Sequence, residues 1–113
     1  MNLPILKKSE ISGVTFGINV KVIEPVNMYE CFLSDDVFIG PFVEIQKGVL
    51  IGKGSRIQSH TFICELVEIG ISCFIGHGVM FINDQFKIGK PANGDKKLWK
   101  RTNVGNNVCI GTN

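Results

Sequence analysis

Large aliphatic residues recur every six positions through the middle of this chain: Leu33, Ile39, Ile45, Ile51, Ile57, Ile63, Ile69 and Ile75, closed by Phe81. Two positions ahead of them runs a row of smaller side chains: Val37, Val43, Val49, Ser55, Thr61, Val67, Cys73 and Val79. A period of six matches neither a helix nor the simple alternation of an amphipathic strand. It matches a solenoid in which each hexad is one short strand plus one corner. The two rows then fill the interior together, because no single turn can bury a core of its own. The expected fold is all-β, a parallel β-helix with one inserted loop.

Glycine follows the large residue at Gly40, Gly52, Gly70, Gly76, Gly105 and Gly111. The expected reason is a corner whose backbone conformation a side chain would hinder. With 113 residues the chain is one domain. Residues 1–13 read as a polar lead-in and 14–84 as regular turns, with a one-residue slip just before Leu33. Residues 85–103, QFKIGKPANGDKKLWKRTN, break the rule and read as an inserted loop. The repeat resumes over 104–113, where Val104 takes the place residue 87 would have held. Long loops in compact solenoids tend to be functional.

Composition removes several classes. A net charge of +2 gives no case for a nucleic-acid binder. No apolar run is long enough to span a bilayer, and no signal-peptide pattern opens the chain. The four cysteines show no C-x-x-C spacing, and Cys31 and Cys73 fall in the inward row as compact apolar groups. The chain therefore reads as cytoplasmic and reduced, without a metal site.

Three hexads per turn, as in the known hexapeptide solenoids that this repeat resembles, would place residues 18 apart on one corner. The two histidines, His60 and His77, then share a corner, and the loop leaves the next corner directly after Asn83 and Asp84. Each of these features also has a plain structural reading. Corner histidines are commonly just solvated, Asn and Asp are ordinary turn formers, and loop lysines keep a loop soluble. Lysine and arginine equally suit phosphate oxygens. Trp99, alone in a polar loop, suits a partner surface or a planar ligand.

The Ile-Gly-x-x-Val hexads, the interrupting basic loop and the run from His77 to Asn83-Asp84 resemble the hexapeptide-repeat acyltransferases. The likeness is nearest to bacterial nucleotide-sugar N-acetyltransferases and covers roughly residues 14–113. It implies a left-handed β-helix and a homotrimer with active sites between neighbouring prisms. The implied reaction moves an acetyl group from acetyl-CoA to the amine of a nucleotide-linked amino sugar for surface polysaccharide. On that template His60, Asn83 and Asp84 are the catalytic candidates, with His60 as general base. Gln58, Glu65, His77 and Trp99 are candidates for the substrate, and Lys100, Arg101 and Gly111 for the cofactor. No metal or nucleic acid is implied. A γ-class carbonic anhydrase, which shares the prism, needs three histidines, and only two exist here. The chain stops at Asn113 in mid-hexad and reads as truncated, which leaves its activity alone in question. The rival reading is a non-catalytic β-helical scaffold or assembly module.

Overall fold

The computed structural model describes residues 2–113. Fourteen strands of two or three residues line the three faces of a triangular prism. The first face stacks β1 (Ile11–Ser12), β4 (Asn27–Tyr29), β7 (Glu44–Ile45) and β10 (Phe62–Ile63). The second stacks β2 (Thr15–Phe16), β5 (Phe32–Leu33), β8 (Leu50–Ile51), β11 (Val67–Ile69) and β13 (Thr102–Val104). The third stacks β3 (Lys21–Val22), β6 (Phe38–Ile39), β9 (Arg56–Ile57), β12 (Phe74–Ile75) and β14 (Cys109–Ile110). Every pairing between these strands is parallel. This is the parallel β-helix expected of the repeat, left-handed as the resemblance implies.

Register follows the sequence period. Leu33 pairs with Ile51 and Ile51 with Ile69, steps of 18 residues. Below the slip the step is 17, as in Met28 with Ile45 and Phe16 with Leu33. Ile69 pairs with Val104 and Ile75 with Ile110, steps of 35, so the insertion adds 17 residues without shifting a side chain to the wrong face. The helix also begins earlier than the pattern marks. Ile11 and Ser12, inside the stretch read as lead-in, already pair with Met28 and Tyr29.

Both inward rows are buried. Ile39, Ile45, Ile57, Ile63 and Ile75 have no exposed surface, and Val37, Val43 and Val49 almost none. Three polar members of the small row are satisfied by glycine carbonyls. Ser55 Oγ donates to Gly70 O at 2.7 Å, Thr61 Oγ1 to Gly76 O at 2.9 Å, and Cys73 Sγ to Gly105 O at 2.9 Å. A buried hydroxyl without such a partner would cost about 1–3 kcal/mol.

The glycines after the large residues serve a different purpose from the one expected. None of them has a positive φ. A Cβ on Gly52 would run into the carbonyl of Gly70, and one on Gly70 would lie 2.6 Å from Gly105 O. At Gly40, Gly52, Gly70 and Gly76 successive turns approach too closely for a side chain, whereas a Cβ on Gly105 or Gly111 would meet nothing within 4 Å. The left-handed conformation falls two residues later, at Asp36, Phe42, Gly48, Gly54, His60, Leu66, Ser72 and Gly78.

Candidate active site

The loop leaves the corner between the first and second faces and folds back on the first. Asn83 stacks on Glu65 one turn below, and its Nδ2 donates to Glu65 O at 3.0 Å. Asn83 is buried, and its own carbonyl accepts from Lys100 N at 2.7 Å, which ties the end of the loop to its start. Asp84 uses both carboxylate oxygens inside the loop. One accepts from Phe86 N at 2.9 Å and the other from Ala92 N at 2.7 Å. Its backbone bridges antiparallel to Trp99. Glu65 Oε1 accepts from Lys96 Nζ at 2.9 Å, and that ammonium lies 5.6 Å from the Trp99 ring centre. Lys96 opens a single 3-10 turn, Lys96–Leu98, capped by Asp95.

Together these contacts border an open hollow of about 350 Å³. Glu65, Asn83, Asp84 and Trp99 supply its polar lining, while Phe62, Phe81 and Phe86 supply apolar wall. Cys64 lies at the bottom, and burial pushes its thiol pKa up. Such burial disfavours the thiolate, which is the reactive form. Gln46 also lines the hollow; it donates to Glu44 at 3.2 Å and accepts from Glu65 N at 3.3 Å. Burial, and then the charges of Glu44 and Glu65, hold the Tyr29 phenol above its ordinary value, partly offset by Lys96 and a hydrogen bond with Gln46.

The histidines occupy the corner between the third and first faces. His77 Nδ1 lies 2.9 Å from Ser59 Oγ, and Thr112 Oγ1 donates to His77 O at 2.7 Å. The His60 ring stacks on Phe42 with centroids 5.0 Å apart. Gln58, half-buried, lies two residues before His60.

The structure thus brings Glu65, Asn83, Asp84 and Trp99 together. It does not bring His60, His77 or Gln58 to them within one chain. The two corners bound opposite edges of the first face, five residues or roughly 15 Å apart. Lys100 joins Asn83 through its backbone only, and Arg101 reaches Glu68 on the second face at 3.4 Å. Gly111 lies on the last turn above Gly76. Tyr29, Gln46 and Cys64 escaped the sequence reading. The 18-residue column Gln46, Cys64, Ile82 is visible in the sequence, but that the loop covers it is not. Among the described residues no helix could cross a membrane, and no group of three or more His, Cys, Asp or Glu is gathered as for a metal ion.

The bacterial transferase hexapeptide (six repeats) family matches residues 30–65, the regular turns that carry this corner. Over those residues the chain carries the repeat that defines that family. Similar proteins include the bifunctional protein GlmU of Francisella philomiragia subsp. philomiragia, 34% identical over 90 residues. That match covers 73% of this chain and 20% of the relative. The bifunctional protein GlmU of Francisella tularensis subsp. novicida is also 34% identical, over 73% of this chain and 19% of its own length. The chain spans about a fifth of the length of the curated relatives it matches.

Proposed function

We propose that the protein is a CoA-dependent N-acyltransferase. It moves an acetyl group from acetyl-CoA to the amine of a nucleotide-linked amino sugar, in the cytoplasm, for surface polysaccharide. The observation that carries the reading is the hollow that the inserted loop closes over Glu65, Asn83, Asp84 and Trp99. It is a concave site with a few convergent polar groups on apolar walls, which is how small-molecule sites are built.

In this reading the sugar lies in the hollow, held by Glu65, the edge of Asn83 and the face of Trp99. The amine attacks the thioester carbonyl carbon; the C–N bond forms, the C–S bond breaks, and the amine's proton leaves with the departing thiolate. Thiolate leaves readily, so no strong base is compulsory. Asp84 positions the loop, because both its oxygens are already engaged. Lys100, Arg101 and Gly111 remain the candidates along the cofactor's path. The histidine corner can serve this site only from a neighbouring copy, which supports a homotrimer with sites between prisms.

The test is release of CoA, followed by chromatography, from acetyl-CoA with a panel of nucleotide-linked amino sugars. Release with one sugar supports the reading, and Asn83→Ala should then lower turnover about tenfold or more while the fold melts as before. One observation favours the scaffold instead: the Asn83 amide nitrogen and both Asp84 oxygens are spent on the protein itself. No CoA release and no CoA binding, from this chain or a version extended past Asn113, would establish that alternative.

A further inference from the structure

Along the histidine corner the second residue of each turn has a left-handed backbone: Phe42 (φ 61°), His60 (φ 65°), Gly78 (φ 69°) and Asn113 (φ 58°). A bulky side chain such as that of Phe42 is uncommon in that conformation, whereas His, like Asn and Asp, is found there more often. Elsewhere on the regular corners small or polar residues hold it, among them Asn19, Asp36, Gly48, Gly54, Ser72 and Asn107. Leu66 is bulky, but it is half-buried, so packing accounts for it. Packing accounts for neither ring here. Phe42 is 57% exposed, and His60 is exposed as well. Strain carried at an exposed position points to use rather than to stability.

The two rings form a short stack. Their planes differ by 30° with centroids 5.0 Å apart, and the backbone below is fixed by Phe42 N donating to Pro25 O at 2.7 Å. Above His60 the column is interrupted. Gly78 contributes no side chain, and a Cβ built there would meet only Asn113 Oδ1, at 3.6 Å. The stack therefore ends one rung, about 4.8 Å, below an open position. Beside that opening lies His77, whose Nδ1 is engaged with Ser59 and whose Nε2 remains for a ligand.

We infer that the Phe42–His60 column is a stacking platform for a nucleobase, which lies on the free face of His60 in the space left by Gly78. His77 Nε2 meets its polar edge. Aromatic side chains stack on bases of any kind, because every base offers a flat π-face. The inference rests on the proposed function only for the nucleotide nature of the ligand. Two substrates of that reaction carry a base, the adenine of CoA and the base of the nucleotide-linked sugar. The histidine corner is then a nucleotide-anchoring edge, apart from the hollow of its own chain and turned to the hollow of a neighbouring copy.

The test is calorimetric titration of the full chain with adenosine 3′,5′-bisphosphate, uridine 5′-diphosphate and, as a control without a base, ribose 5-phosphate. One nucleotide should bind at least about tenfold more tightly than the control, and which one names the source of the base. His60→Leu and Phe42→Leu should each weaken that nucleotide about tenfold, and His60→Phe, which restores a flat ring, should keep it within about threefold. Nucleotides that bind no better than ribose 5-phosphate would overturn the inference. So would leucine variants that bind like the parent, or an acidic limb of the pH–rate profile lost in His60→Ala with affinity intact, since that marks a base. Binding is read without turnover, so failure of the acyltransfer assay leaves this result standing on its own.

Discussion

The prism and the inserted loop are held by different physics. In the prism the middle turns bury an Ile from every face against the turns above and below, and residues such as Ile45, Ile57 and Ile63 have no exposed surface. In residues 85–103 only Ala92 is buried, and Trp99 is half-buried. The loop is kept by polar latches instead: two hydrogen bonds on Asp84, the Lys96–Glu65 pair and the Lys100–Asn83 backbone bond. Stacked apolar turns make a scaffold that loses its parts together. A few polar contacts make a segment that can open locally while the scaffold stays intact. The candidate hollow lies on the seam, with a rigid wall on one side and an adjustable one on the other.

The sharpest way to break that contrast is to damage each region and compare the responses. Ile57→Ala should destabilise the whole chain by about 3 kcal/mol, seen as one cooperative shift in a denaturant melt. A change confined to one or two turns would mean that the turns do not act as a unit. Asp84→Ala should do the opposite. Its loss of two acceptor bonds, about 1–3 kcal/mol locally, should hasten tryptic cleavage at Lys87 and Lys97 while the global melt barely moves. Equal cleavage rates in both proteins would show that the loop is held by something else.

Alkaline titration sharpens the comparison further. Burial raises the Cys31 thiol to about 11 and also raises Cys64 and Tyr29. Each is neutral in the folded state at a pH where its unfolded counterpart ionises. Their contribution to stability is therefore complete below the unfolded value and lost as pH rises through the folded one. For Cys31 that window runs from the ordinary thiol value of 9.0 up to about 11. Cys31→Ala should flatten this decline; an unchanged slope would assign it to Tyr29 and Cys64. The smallest effect belongs to Glu65→Gln. The pair it breaks is partly solvated at Lys96, so the loss should be about 0.5 kcal/mol, fading with added salt.

Much of this was open to reading in the chain itself. The six-residue rows identify the inward residues one by one, and the slip before Leu33 and the resumption at Val104 both reappear as register. The glycines were seen but explained wrongly. Gly52 is needed because Gly70 passes close by, a relation between turns 18 residues apart that local sequence does not display. For the site, spacing alone placed His60 and His77 on one corner and Asn83 and Asp84 on the next. It could not show that Asp84 turns both oxygens onto its own loop, or that His60 lies flat on Phe42.

What the sequence determines by itself is the repeat: which side chains face inward, how many residues make a turn and where the turns are interrupted. A periodic chain repeats one local solution, so its pattern is also its architecture. What only the tertiary structure decides is where the interruption goes. Residues 85–103 have no period, and their course is set by contacts with Glu65, Asn83 and the column of Gln46 and Cys64, residues about 20 to 50 positions away. Those contacts come from the fold rather than from neighbours in the chain, and they create the hollow.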